Sequence, residues 1–315
     1  MINNDLIDWL LKGDPSIKYQ VHRDLFNTDK KQLEILQKNI SKSGWVHDLL
    51  QKQADNWIWG NGLYSPKWIS STYTLLLLKR LSLSQDNKNA IKGAQVLLNQ
   101  GLNKDGGINF SKTIDNSETC ITGLVLSICS YFNLNDEKIF NLIDYLLKEQ
   151  MEDGGWNCQK INGAVHSSMH TTINVLEGLL DYKNKYQYKI NKIKEAENKA
   201  HEFLLNHKLY KSDKTYKIID RKFTYLSFPP RWYYDILRGM DYFYFYNKEY
   251  DSRMKDALSI IIKKKNKNGK WPLQGKHPGK VYFELEKDTK NSRINTLRVL
   301  RILSNYQSDL EGDIK

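Results

Sequence analysis

The feature that most constrains how this chain can fold is a loop of glycine and aromatic residues that recurs about every fifty residues. An amphipathic segment precedes each loop, and a more apolar segment follows it. Periods of this length are typical of repeat proteins, in which each unit buries its apolar face against the next. The copies are Asp55–Gly60, Asp105–Phe110, Asp153–Asn157 and Asn268–Pro272, and a further copy that lacks the glycines is expected within 208–228.

Apolar residues at helical spacing indicate that both kinds of segment are helices, and strand patterns are almost absent. Six pairs of helices follow, and we expect the amphipathic helices to surround the apolar ones as two concentric rings. The amphipathic segments are predicted at 4–12, 31–53, 87–101, 136–150, 189–207 and 251–265. The apolar segments are predicted at 15–27, 67–82, 117–132, 166–182, 230–246 and 291–305, and a short extended piece at 280–284.

Composition excludes several classes of protein. No apolar run reaches 18 residues, so no transmembrane helix is expected, and the first residues lack the basic region of a signal peptide. These features predict a cytoplasmic protein. The net charge is +12, but no nucleic-acid-binding motif accompanies it, so scattered solvent-facing lysines are the simpler interpretation and a peripheral membrane contact stays open. Three cysteines do not indicate a disulfide framework.

Two of the loops carry a more specific pattern. Gln150–Trp156 reads QMEDGGW, and Gln100–Ile108 is a weaker copy with isoleucine in place of tryptophan. The pattern resembles the QW-type repeat of squalene cyclases and protein prenyltransferase β subunits, and the chain looks like a short bacterial subgroup of single-toroid proteins. The resemblance implies one (α/α)6 toroid domain over residues 1–315, with an active site in a central cavity lined by the inner helices. It implies an apolar or isoprenoid-type substrate and a transferase or lyase activity.

The chain departs from that family in ways that bear on the reaction. It contains no Asp-x-Asp-Asp run, which type II cyclases use to protonate their substrates, and no Asp-Asp-x-x-Asp run, which type I synthases use to hold magnesium. A conventional polyene cyclase is therefore not expected. Fold transfers between such relatives more safely than activity does.

Polar residues recur where the inner helices begin, in a part of the fold that should be apolar. When the inner helices are aligned by pattern, Ser71, Glu118, His170, Arg231 and Asn291 fall at one level. Buried polar groups need partners, so this ring is either an internally satisfied network at the helix starts or a ligand site. For the second alternative we expect Glu118, His170 and Asp235 as acid–base groups and Thr72, Thr119 and Thr171 as substrate-binding residues.

A cluster of cysteine and histidine offers a metal site near the same level. His166 and His170 share a helical face, Cys158 lies in the loop before that helix, and Cys120 begins the preceding inner helix. Two thiolates and two imidazoles suit tetrahedral zinc. Prenyltransferases and lanthionine cyclases bind zinc on related toroids, although neither local motif is reproduced here. The alternative is that the cysteines pack in the core and the histidines are hydrogen-bonded.

Two further groups suggest a ligand that is apolar at one end and anionic at the other. His277 lies in a lysine-containing loop that, with Arg231 and Arg293, is suited to bind a diphosphate. Trp68, Trp232 and Tyr234 are expected to line an apolar pocket, where aromatic faces also stabilise carbocations. The alternatives are an exposed turn and ordinary packing. Asp235 is expected to pair with Arg231.

Three functions remain open at the level of sequence. The first is an enzyme acting in the central cavity on an apolar or isoprenoid-type substrate. The second is a non-catalytic toroid that binds a ligand or peptide. The third is a zinc-dependent, lanthionine-cyclase-like enzyme in which the metal activates a thiol.

Overall fold

The computed structural model describes residues 4–314 and confirms the prediction of an all-α protein. Every segment predicted to be helical contains helix, all but 31–53 are helical in their central part, and the described residues contain no strand beyond isolated bridges. Residues 280–284, predicted as a short extended piece, lie in an irregular loop. No helix within 4–314 is long and apolar enough to cross a membrane.

The chain divides into two compact units. The first unit holds the described residues up to 51, residues 80–83 and the residues from 205 onward, and the second holds 52–79 and 84–204. The assignment of residues 1–315 to a single domain stays a prediction.

The second unit alternates helices that have no exposed residue with helices that are exposed on one face. Its buried helices are α5 (Ser71–Arg80), α7 (Thr119–Tyr131) and α9 (Met169–Lys183), and its one-faced helices are α6 (Lys88–Gly101), α8 (Lys138–Glu149) and α10 (Ile190–Asn206), which extends to the unit boundary. Every residue of α7 from Thr119 to Ser130 is buried. The alternation matches the apolar and amphipathic segments predicted from the sequence.

The first unit contains seven helices within the described residues. One predicted segment is wrong: 31–53 forms two helices, because Gly44 adopts a positive φ of 76° that interrupts it. The Asp14 carboxylate accepts from the backbone N–H of Ser16 at 2.9 Å and of Trp45 at 2.8 Å, so it caps two helices. The helices are α1 (Asn4–Leu11), α2 (Pro15–Leu25), α3 (Lys30–Ile40), α4 (Gly44–Leu50), α11 (Ile236–Tyr246), α12 (Lys255–Lys263) and α13 (Arg293–Ile314).

Four of the recurring loops are attached to the helix that follows by the same hydrogen bond. The backbone N–H of the loop's tryptophan or isoleucine donates to a hydroxyl in the first two turns of that helix. In the QW loop, Gln150 also donates to the carbonyls of Gly154 at 2.7 Å and Ala196 at 2.8 Å, which joins the loop to α10. The pairs are Trp59 with Ser71, Ile108 with Thr122, Trp156 with Thr172 and Trp271 with Thr296, at 2.9–3.0 Å.

Isolated bridges close some of these loops. They join Gln53 to Trp59, Leu102 to Ile108 and Lys211 to Ile218. The last bridge lies within 208–228, where the sequence predicts the copy of the loop that lacks the glycines.

Helices α7 and α9 approach each other at two glycines. A Cβ on Gly123 would stand 2.8 Å from the Asn174 carbonyl oxygen, and one on Gly178 would stand 2.6 Å from the Gly123 carbonyl oxygen. Real Cβ atoms do not approach backbone this closely, so glycine at both positions sets the helix spacing.

Candidate functional site

The loop that leads into α5 is held by hydroxyl groups in the first turn of that helix and immediately before it. Ser71 donates to the Gly62 carbonyl at 3.0 Å, and Thr72 donates to the Leu63 carbonyl at 2.7 Å. Ser70 donates to the Tyr64 carbonyl at 2.9 Å. Thr72, predicted to bind substrate, is fully buried and here fixes the loop.

That loop carries an aromatic cluster, which we define as Tyr64, Trp68, Tyr73 and Phe110. The ring of Tyr73 lies 5.2 Å from that of Tyr64 and 4.7 Å, edge-on, from that of Trp68. Tyr64 also stacks on Phe110 at 6.4 Å. These geometries favour contact between rings. The structure therefore places Trp68, a predicted pocket residue, in an aromatic group within the second unit.

Glu118 stands immediately before α7 beside this cluster. It occupies the N-cap position, yet its carboxylate makes no capping hydrogen bond, and its side chain is half-buried. Burial raises the pKa of Glu118 above its ordinary value, and the positive charge of Lys67 partly opposes the shift. The ammonium of Lys67 lies 5.6 Å from the Tyr64 ring centre and 5.8 Å from that of Trp68.

The charge of Glu118 also acts on two neighbouring phenols. Burial raises the pKa of Tyr145 to about 12, against a hydrogen bond with Thr119, and the charges of Glu149, of Asp105 and then of Glu118 add to the rise. Burial likewise raises the pKa of Tyr64, and again the charge of Glu118 adds to it. Thr119, predicted to bind substrate, is buried with its hydroxyl 3.5 Å from that of Tyr145. Glu118 is therefore an acid whose carboxyl group is not committed to capping, set among aromatic side chains.

The predicted zinc residues all belong to the second unit. The Sγ of Cys120 accepts from the Asn174 amide at 3.2 Å, and the backbone N–H of Cys158 donates to Thr171 at 3.3 Å. His170 is half-buried in the first turn of α9, whereas His166 is exposed. Within residues 4–314 no group of three or more histidine, cysteine or acidic side chains is arranged to hold a metal.

The donor set therefore does not fit a preformed tetrahedral site, and zinc binding stays a prediction. Metal analysis of protein purified without added zinc, compared with Cys158→Ala, tests it.

The remaining predicted acid, Asp235, lies in the first unit and caps a helix. Its carboxylate accepts from the backbone N–H of Arg238 at 2.8 Å and of Ser227 at 3.2 Å. Burial raises its pKa, against the attraction of Arg298 and then of Arg238. The predicted start of this helix at 230 is wrong: α11 begins at Ile236, because Arg231 has a positive φ of 58° and two prolines precede it.

The other predicted ligand residues of the first unit are engaged within the protein. The Nε of Arg293 donates to the Trp9 carbonyl at 3.0 Å, and its guanidinium lies 4.6 Å from the centre of the Trp9 ring. His277 stacks on Tyr233 at 4.0 Å, and Tyr233 stacks on Trp232 at 3.8 Å. Arg231 and Tyr234 are buried. Diphosphate binding by these residues stays a prediction.

A buried charge network in the first unit was missed by sequence reasoning. Arg301 binds the Asp241 carboxylate through two nitrogens, at 2.7 and 2.6 Å, and also donates to Asp24 at 2.9 Å. Arg298 donates its Nε to Asp241 at 3.1 Å. The available signal was the spacing of Arg298 and Arg301 in a segment predicted to be apolar, because residues three apart share a face of a helix.

A smaller network was missed in the second unit. Ser127 donates to Asp181 at 2.7 Å and accepts from Lys79 at 2.7 Å, and Lys79 also pairs with Asp181. Its members come from three buried helices, α5, α7 and α9. Charged residues near the ends of apolar segments were the available signal.

Comparison with known proteins finds similarity among solved structures. No protein-family model matches the chain, and no curated protein matches it. The structure of the type II terpene cyclase MstE from Scytonema without ligand is similar with a TM-score of 0.48 and 14% identity, over 94% of this chain and 89% of that one. A variant of MstE in complex with the substrate geranylgeranyl dihydroxybenzoate is similar with a TM-score of 0.45 and 15% identity, over 93% and 87%. Similarity at this level carries no information about individual residues.

Proposed function

We propose that the protein is an enzyme that acts on an apolar, isoprenoid-type substrate beside α7, with Glu118 as its proton donor. The observation that carries the proposal is the half-buried Glu118 carboxyl group, which makes no capping bond and whose pKa is raised by burial beside Tyr64. The QW-type loops support the substrate class through the resemblance already described.

The chemistry follows from the two kinds of group in the site. A carboxylic acid whose pKa is raised keeps its proton at higher pH. The protonated acid is the form that donates a proton to a substrate. Donation to a carbon–carbon double bond leaves a carbocation, and the faces of Tyr64, Trp68 and Tyr73 are suited to stabilise it. A base must then remove a proton from the product cation, and the ionised Glu118 is a candidate for that step.

Lys67 adjusts the strength of this acid. Its positive charge favours the ionised carboxylate, so it opposes the effect of burial on the pKa of Glu118. Lys67→Gln should therefore raise the pKa of Glu118 further and move the alkaline limb of the activity profile to higher pH. A purely structural role for Lys67 would leave that limb in place.

The test is conversion of isoprenoid probes in heavy water. Farnesyl diphosphate, geranylgeranyl diphosphate and geranylgeranyl dihydroxybenzoate, the last being the substrate of the MstE complex, are incubated with the protein and analysed by mass spectrometry. Proton-initiated cyclisation predicts a product that carries one solvent deuteron at carbon. Glu118→Gln should lose at least about a hundredfold in turnover, as expected for removal of a general acid.

Glu137→Gln is the matched control. Glu137 also occupies the N-cap of a helix without a capping side-chain bond, but it is exposed. Full activity of Glu118→Gln, or a product without solvent deuterium, would remove Glu118 as the donor. Thermal stabilisation by a probe that is never converted would favour the non-catalytic binding protein instead.

A further inference from the structure

The loop between α10 and α11 presents an ordered basic turn, which we define as Lys208–Lys222 and call the basic loop. The backbone N–H of Ser212 donates to the Lys217 carbonyl at 2.8 Å, and that of Tyr216 donates to the Ser212 carbonyl at 2.9 Å. The N–H of Ile219 donates to the Tyr210 carbonyl at 3.0 Å. These bonds give the loop a fixed shape from which its side chains project.

Three large apolar side chains project from this loop into solvent. Tyr216 is 66% exposed, Ile218 is 52% exposed and Ile219 is 46% exposed. Every residue from 213 to 219 is exposed. Single exposed apolar residues are ordinary, but three on one fixed turn form a patch that calls for a partner.

The same loop is strongly cationic. It contains six lysine and arginine side chains and two carboxylates. Both carboxylates are engaged locally: Asp213 lies 3.5 Å from His207, and Asp220 accepts from the backbone N–H of Lys222 at 2.8 Å. Of the cations, Lys211 pairs with Asp256. The exposed Lys214, Lys217, Arg221 and Lys222 lie between and beside these apolar residues in the sequence.

We propose that the basic loop docks on the surface of an anionic lipid bilayer. Lysine and arginine are attracted to anionic headgroups, and apolar side chains on the same turn enter the boundary between headgroups and acyl chains. A nucleic acid would match the cations but would leave the two isoleucines in water. An acidic protein would match the charge of the loop, but its recognition would not require the exposed apolar side chains. The bilayer surface is the partner that satisfies both features, and this inference is independent of the proposed function.

The experiment is co-sedimentation of the full chain with vesicles. Vesicles of phosphatidylcholine alone are compared with vesicles that also contain phosphatidylserine. The apolar variant is Ile218→Ser with Ile219→Ser, and the charge variant is Lys214→Gln with Lys217→Gln. We expect binding to the anionic vesicles only, and roughly tenfold or greater loss in each variant, since the charge variant loses attraction to the headgroups and the apolar variant loses insertion at the boundary with the acyl chains.

Matched controls come from exposed residues elsewhere. Ile161→Ser with Val165→Ser removes two exposed apolar side chains, and Lys265→Gln with Lys267→Gln removes two exposed lysines. Both controls should bind as the parent does, and circular dichroism melting should show all variants folded. The proposal is overturned by no binding to anionic vesicles, by equal binding to neutral ones, or by loss in the controls. Loss of vesicle binding in the charge variant alone would also overturn the proposal, because that pattern indicates that the protein adsorbs to the vesicle through its charge without insertion of the loop.

Discussion

The backbone N–H of Trp156 donates a hydrogen bond to the hydroxyl of Thr172 at 3.0 Å, and that hydroxyl in turn donates to the Trp156 carbonyl at 3.3 Å. Both residues are fully buried. The pair ties the QW loop to α9, and the indole nitrogen of Trp156 ties it to the Leu146 carbonyl of α8 at 2.7 Å. A loop residue thus connects two helices of the second unit.

Thr172→Val should destabilise the protein by about 1–3 kcal/mol, because the buried N–H of Trp156 loses its partner while the side-chain volume is retained. The Trp156 carbonyl keeps the hydrogen bond that it accepts from the Ser168 N–H at 2.8 Å. Urea unfolding followed by circular dichroism measures the change. Thr113→Val, in an exposed loop, is the control and should change stability by less than about 0.5 kcal/mol. Equal effects of the two substitutions would show that the Thr172 bond contributes nothing.

Comparison of Gly154→Ala with Gly163→Ala separates the cost of backbone strain from the cost of steric contact. Gly154 has a φ of +95°, and a Cβ there would stand 2.5 Å from the Lys199 carbonyl oxygen. Gly163 has a φ of +87° and nothing within 4 Å of its Cβ position. We expect Gly163→Ala to cost about 1 kcal/mol from conformation alone, and Gly154→Ala to cost at least about 2 kcal/mol more. Equal melting temperatures for both variants would contradict the contact.

Glu118→Gln should stabilise the protein near neutral pH while it removes activity. Because burial raises the pKa of Glu118, the native state binds its proton more tightly than the unfolded chain does, and ionisation therefore costs native stability. Below pH 4.5, the ordinary pKa of a glutamate, Glu118 is protonated in both the native and the unfolded state. The difference in stability between the parent and Glu118→Gln then disappears. Calorimetry should show a higher Tm than the parent at about pH 7 and an equal Tm at about pH 4. A lower Tm at neutral pH would contradict the shift.

Asp241→Asn should be strongly destabilising. Burial disfavours the charge of Asp241, but the attraction of Arg301 and Arg298 outweighs it and lowers its pKa. Removal of that charge takes from Arg298 the carboxylate that its Nε binds, and leaves Arg301 with Asp24 alone, at a cost of about 3–5 kcal/mol. Asp309→Asn, on an exposed face of α13, is the control. The stability that Asp241 contributes is lost as pH falls through its lowered pKa, so the gap between parent and variant should narrow on acidification.

The helices were predictable because their signals are local. The loop pattern at Asp153–Trp156 indicates the length of the repeat, and the apolar spacing in α8 indicates which face of that helix is buried. Neither signal depends on distant residues. The errors fall where a single backbone conformation interrupts the pattern. Gly44 and Arg231 adopt positive φ, and a sequence read by hydrophobic spacing does not reveal that.

The site was predicted only in part, because its chemistry depends on contacts between segments. Glu118 was identified from its place before an apolar helix, and the structure confirms that place. Lys67, whose charge opposes the effect of burial on the pKa of Glu118, was not predicted, since it lies some fifty residues earlier in a loop of no regular structure. Asp235 carried the same signal as Glu118 but caps a helix, a distinction that needs the positions of the neighbouring N–H groups.

The two glycines between α7 and α9 have a consequence for redesign of the site. Glu118 and His170 stand at the starts of these helices, and the separation of the helices is set by contact between backbones at Gly123 and Gly178. Exchange of side chains along the helices would leave that separation unchanged. Adding one methyl group at Gly123 would move the whole of one helix relative to the other, so the breadth of any binding surface between their starts can be adjusted from a position deep in the core.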